Sequence, residues 1–145
     1  MPTTSGIDPR GPQFTAALTA VVLLVILVLP TTAATLLTAA QAALFATGVA
    51  LGVQRTPTAA LFRRFVRPRL AAPDELEDPA PPRFAQAVGL AFALVALVAF
   101  LTGATVAAQV AIGFALAAAL LNAVFRFCLG CELYLLLKRA SVSVG

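Results

Sequence analysis

The chain of 145 residues contains no histidine, no tryptophan, one tyrosine (Tyr134), one methionine and two cysteines. Each scarcity excludes a kind of chemistry. A c-type haem attachment needs His directly after its second Cys, and Glu132 stands there instead. A closed zinc site normally takes four ligands, so two cysteines without histidine would need a second chain or carboxylates. An iron–sulfur cluster fails on the same count unless chains share it. With so little ring surface to hold a cofactor, no cofactor and no metal are expected.

Charge is scarcer still where it matters. The intervals 11–54 and 84–125 contain no Lys, Arg, Asp or Glu. A bilayer core takes roughly 20 apolar residues per helix, so each interval is too long for one crossing and about right for two. The composition, 61% hydrophobic and 11% charged, lies far from the roughly 25% charged residues of soluble domains. The fold class predicted is all-α: four transmembrane helices arranged as two hairpins, in contact with the lipid bilayer. With no ionisable group in the spans, a proton relay or ion-coupled pump lacks its usual parts. Basic residues flank apolar spans and form no basic-aromatic groove, so no nucleic acid is expected as a partner.

The chain reads as a single membrane domain over 1–145, with hairpin one at 12–54, a loop at 55–81, hairpin two at 82–125 and a tail at 126–145. The first helix runs from about Gln13 to Leu29, where Pro30 breaks it. Thr31-Thr32-Ala33-Ala34 faintly resembles a signal-peptide cleavage site, but the apolar pattern resumes at once, so the first run is read as a retained helix. Thr31-Thr32 is expected to make the turn, and the second helix to cover about Ala33 to Val53. The third covers about Pro82 to Leu101, Thr102-Gly103 turns, and the fourth covers about Ala104 to Phe125. Cys128 to Leu137 is apolar again and suggests a short interfacial helix. All ten basic residues fall on the side of the termini and central loop, which the positive-inside rule makes cytoplasmic. The expected location is therefore the cytoplasmic membrane, with both termini inside.

The halves repeat. Asp8-Pro9-x-x-Pro12-x-Phe14 returns as Asp78-Pro79-x-x-Pro82-x-Phe84 at an offset of 70 residues. Copies of a two-crossing hairpin share one orientation, so the repeat is parallel, about an axis along the membrane normal. The Asp suits the positive end of the following helix, the prolines stiffen its entry, and the Phe is placed at the headgroup boundary.

In the central loop Phe62, Phe65 and Val66 share one helical face with Arg63, Arg64 and Arg67 opposite, which suits a short helix on an anionic leaflet. Asp74, Glu75, Glu77 and Asp78 follow among prolines as a solvated strap. Gln41, Gln109, Asn122 and the span threonines are expected to tie helices together, and Gly48-x-x-x-Gly52 to allow close helix contact.

Cys128-Leu129-Gly130-Cys131-Glu132 is the one chemically pointed stretch. At that spacing on a helix both sulfurs share a face. Such a pair cycles between dithiol and disulfide, and a helix N-terminus lowers a thiol pKa. Gly130 lets the backbone bend. Arg126 favours thiolate or holds an anionic sulfur compound, whereas Glu132 opposes thiolate and can move a proton. The alternative is that both cysteines are small apolar fillers. In a reducing compartment a permanent disulfide is not expected.

Taken together, the two Asp-Pro segments and the CLGCE element resemble the DUF4395 family, small integral membrane proteins common in actinobacteria. The resemblance implies the membrane fold, singles out Cys128 and Cys131 as the matched pair, and implies a thioredoxin-like or rhodanese-like cytoplasmic partner. It assigns no substrate. The leading expectation is a thiol–disulfide or sulfur-relay membrane protein, with Cys128 and Cys131 reacting and Arg126 and Glu132 tuning them. The alternatives are a non-catalytic accessory subunit of a larger membrane complex and a small transporter acting as a homo-oligomer.

Overall fold

The computed structural model describes residues 6–73 and 75–144. Within them lie six α-helices: α1 (Arg10–Val28), α2 (Thr31–Leu51), α3 (Pro57–Leu61), α4 (Ala80–Leu101), α5 (Thr105–Phe125) and α6 (Leu129–Val144). Four of these, α1, α2, α4 and α5, are long and apolar enough to cross a membrane. The Asp74 of the acidic strap lies outside the described residues.

Local chemistry explains most boundaries. Asp8 Oδ1 accepts the backbone N–H of Arg10 at 3.0 Å, and Asp78 Oδ1 accepts that of Ala80 at 2.9 Å. The repeated motif therefore starts α1 and α4 in the same way, three residues before the expected start at Gln13 and two before that at Pro82. Pro30, with no N–H to donate, caps α2 directly, so the turn is Leu29-Pro30 and both Thr31 and Thr32 are already helical. At the other hairpin Gly103 turns the chain with φ +87°, as expected. Gly52, at φ +97°, ends α2. A bare Cβ at Gly48 would lie 2.8 Å from Gln86 Oε1, whereas one at Gly52 meets nothing. Only the first glycine of the GxxxG run serves close packing; the second serves as a terminator.

Each hairpin packs chiefly on the other rather than on itself: α1 lies along α5 and α2 along α4. Under the 70-residue offset these two contacts are the same contact. The axis relating them passes through one backbone pair, Ile7 and Glu77, themselves 70 positions apart, whose N–H groups donate to one another's carbonyls at 2.8 Å both ways.

The end of the bundle that holds the two turns is tightly closed. Leu23, Ile26, Ala34, Ala96, Ala108 and Ile112 are almost fully buried there. Small alanines let helix backbones approach, the usual device of membrane bundles. Outward-facing Val28, Leu36, Val98 and Val106 are strongly exposed, as lipid-facing residues should be. Thr35, Thr38 and Thr47 donate to carbonyls one turn back in their own helix, so they tie no helices together. Thr15 does, donating to Thr58 of α3 at 3.0 Å.

The central loop departs from expectation. Instead of one amphipathic helix on the leaflet, α3 passes into a π turn (Phe62–Val66) and a 3₁₀ turn (Arg67–Arg69). The wider i→i+5 turn rotates Phe62 away from Phe65. Phe62 is only 4% exposed, while Phe65 is 56% exposed. Phe62 seats on Phe14, with ring centroids 5.8 Å apart. In the second copy Phe84 meets Tyr134 of α6 at 5.7 Å. The motif Phe thus anchors the segment returning from its own hairpin.

Candidate functional site around the cysteine pair

The site begins with how α5 stops. Arg126 adopts the left-handed conformation, φ 58°, the one non-glycine to do so among the described residues. Its N–H donates to the Asn122 carbonyl at 3.0 Å, the 5→1 bond of an αL stop, and that of Phe127 reaches the Leu121 carbonyl at 3.2 Å. The chain reverses, and α6 starts at Leu129 and lies over α4. A Cβ on Gly130 would come within 2.6 Å of Ala85 Cα, so glycine is required for this crossing. The bend expected of Gly130 is really a close approach.

Cys128 occupies the position before the first turn of α6. Its Sγ accepts the backbone N–H of Cys131 at 3.1 Å, and its carbonyl accepts that of Glu132 at 3.0 Å. The two sulfurs are joined in a disulfide, with Cα atoms 5.1 Å apart. Of the two forms between which the pair is expected to cycle this is the oxidised one; the i, i+3 spacing at a helix start places the Cα atoms inside the usual bridging range of about 4.4–6.8 Å. Cys128 thus stands at the N-terminus of α6, its sulfur on a backbone N–H of the first turn.

Both cysteines are half-buried and line a cavity of about 1620 Å³ between the two hairpins, on the charged side of the bundle. Arg126 and Glu132, both exposed, line it too. Arg126 acts here through its backbone, and no hydrogen bond joins its side chain or that of Glu132 to either sulfur among the described residues. Asn122 supplies a polar group near the cysteine end, Gln86 and Thr19 supply others deeper in, and Phe45, Phe92 and Phe114 supply rings. Phe92 and Phe114 meet with centroids 6.4 Å apart. At 1.5 Å rise per residue, Thr19 is about 14 Å and Phe92 about 18 Å beyond the starts of their helices. The cavity therefore reaches roughly halfway through the bundle.

The rim is fixed by ion pairs and caps. Asp8 pairs with Arg10 at 2.8 Å and with Arg67 at 3.2 Å, and is 11% exposed. The Arg10 side-chain hydrogen bond holds the Asp8 carboxyl below its ordinary pKa, against burial that pushes it up, with help from the Arg10 backbone and the Arg67 charge. Arg10 also donates to the Ala71 carbonyl at 2.8 Å. Arg10 and Arg67 are thus structural clamps as well as carriers of topology.

Sequence reasoning missed two residues that close helix ends, the first of which lines the cavity. Gln13 Nε2 donates to the Ala123 carbonyl at 2.8 Å, closing the end of α5 just before the cysteine segment. Its counterpart under the repeat, Arg83, donates to the Val49 and Ala50 carbonyls at 2.7 and 3.1 Å, closing the end of α2. The signal was present as the polar position between Pro and Phe in both motif copies. Among the described residues no three Cys, Asp or Glu side chains gather as a metal site.

No curated protein and no solved structure matches the chain. A family model, described as a domain of unknown function (DUF4395), matches residues 7–139. Two hairpins, the paired Asp-Pro starts and the cysteine pair all fall within that span, and the chain belongs to the DUF4395 family.

Proposed function

We propose that the protein is a thiol–disulfide or sulfur-relay component of the cytoplasmic membrane, with its charged side and both termini facing the cytoplasm. The observation that carries this reading is the Cys128–Cys131 pair at the start of α6, lining a cavity that opens on the charged side. The orientation rests on the ten basic residues at one end and none at the other.

In the reduced state Cys128 is the attacking thiolate, because its Sγ receives the Cys131 N–H at the helix N-terminus. It displaces one sulfur of a partner disulfide, forming a mixed disulfide and releasing a partner thiolate. Cys131 then attacks Cys128 Sγ, restores the internal disulfide and releases the partner's second thiolate. With a persulfide partner the same attack transfers its outer sulfur. A soluble thioredoxin-like or rhodanese-like protein of the cytoplasm is the fitting partner.

The test is a trap. Cys131→Ser should accumulate a mixed disulfide through Cys128 in membranes, and Cys128→Ser should not. Should both thiols stay unreactive towards alkylation at neutral pH after reduction, the protein would instead be an accessory subunit with inert cysteines.

A further inference from the structure

We infer that the cavity binds a lipid-soluble quinone, which takes electrons from the reduced Cys128–Cys131 pair. This inference rests on the thiol–disulfide reading, with the exchange run in reverse: a partner dithiol reduces the Cys128–Cys131 disulfide through the same mixed disulfide and leaves as a disulfide, and the quinone is the oxidant that regenerates the internal bond. Three observations point to it. The cavity, at about 1620 Å³, is larger than the roughly 300–1,000 Å³ of ordinary ligand sites, and so has room for a ring with part of an isoprenoid-like tail. Its depth lies in the apolar part of the bundle, where Phe92 and the largely exposed Phe114 line it beside the buried Phe45, a surface open towards lipid and suited to an apolar ring rather than to a water-soluble carrier. The Gln86 and Asn122 amides share that wall with the cysteines, and each carries N–H donors suited to a quinone carbonyl oxygen.

The step balances. Cys128 and Cys131 lose two electrons and two protons and form one S–S bond; the quinone gains both electrons, and its two carbonyl oxygens each take a proton, giving the quinol. Glu132, exposed on the cavity wall, is placed to pass a proton between thiol and water. The quinone exchanges with the bilayer after each turnover, as a substrate and not as a resident group.

The full chain, reduced and purified into lipid nanodiscs, is mixed with decyl-substituted benzoquinone. Quinol formation is followed by absorbance, and thiols and any ring adduct are followed by mass spectrometry. The expected result is equimolar quinol and disulfide, a rate that saturates with quinone, and clear preference for the decyl compound over its tailless analogue. Asn122→Leu and Gln86→Leu should each raise the half-saturating concentration by about tenfold, the loss of one hydrogen bond. A rate that never saturates, equal rates with and without the tail, or stable ring adducts in place of disulfide would overturn the inference. If Cys131→Ser still traps a partner while quinone leaves the thiols reduced, the quinone site falls and the thiol relay stands. If neither occurs, both fall.

Discussion

The two return segments occupy equivalent places in the repeat and are built from different chemistry. After α2 the chain turns back over α1 through α3, where Thr56 and Thr58 hydroxyls lie 3.1 Å apart and Thr58 accepts from Thr15. After α5 it turns back over α4 through α6, where Cys128 and Cys131 stand. At the 70-residue offset Thr58 corresponds to Cys128 and Leu61 to Cys131. One copy uses the position for hydroxyl ties that hold two helices; the other places a redox-capable pair at a helix start. Both keep the aromatic anchor, Phe14 on Phe62 and Phe84 on Tyr134. The shared anchor is thus scaffold, and the disulfide is what sets the second copy apart.

The largest expected effect breaks the second segment alone. Gly130→Val would drive a side chain into the Ala85 backbone, with overpacking of about 1–3 kcal/mol. It should lift α6 from α4 and expose Cys128 and Cys131 to alkylation after reduction, while Thr58 and the first return segment stay in place. Limited proteolysis of the tail, paired with thiol labelling, reads this directly. Unchanged labelling would mean that the α6 crossing does not position the cysteines.

A smaller effect compares the anchors. Phe62 is buried, whereas Tyr134 is half-buried on a surface helix. Phe14→Ala should therefore cost about 2 kcal/mol and Phe84→Ala about 1 kcal/mol in detergent unfolding, where a ring pair contributes about 0.5–1.5 kcal/mol beyond area. Equal losses would make the two segments energetically alike despite their different burial.

The smallest effect concerns the two motif aspartates. Asn keeps the acceptor that starts each helix, so Asp78→Asn should change stability by less than about 0.5 kcal/mol. Asp8→Asn also loses the Arg10 and Arg67 pairs and should cost up to about 1 kcal/mol near neutral pH. Because the folded Asp8 pKa lies below its ordinary value, its contribution is fully present above the unfolded value of about 3.9 and fades as pH falls through the folded one. The gap between wild type and Asp8→Asn should thus close in acid, as followed by thermal unfolding between neutral and acidic buffer.

Much of this fold was legible because lipid punishes charge: the two uncharged intervals delimit the hairpins, and Pro30 and Gly103 mark their turns. The C-terminal helix was legible in kind but not in length, since it continues through Lys138 and Arg139 to Val144, beyond the apolar stretch that signalled it. The loop helix was misread because periodicity assumes 3.6 residues per turn, and the π turn at Phe62–Val66 breaks that assumption. The cysteine pair was visible from spacing alone. Its cavity was not, because Thr19, Gln86 and Asn122 come from three helices, and only the crossing of α1 with α5 and α4 with α6 brings those walls together.

The meeting of Ile7 and Glu77 carries a consequence for symmetry. A residue that pairs with its own counterpart on a two-fold axis makes the same two bonds whether or not the copies are covalently joined. Those two bonds are equally open to a symmetric pair of half-length chains, one chain's residue facing its twin. A covalently joined pair can hold the Thr56 and Thr58 hydroxyls in one copy and a disulfide in the other, a division of labour closed to any symmetric pair.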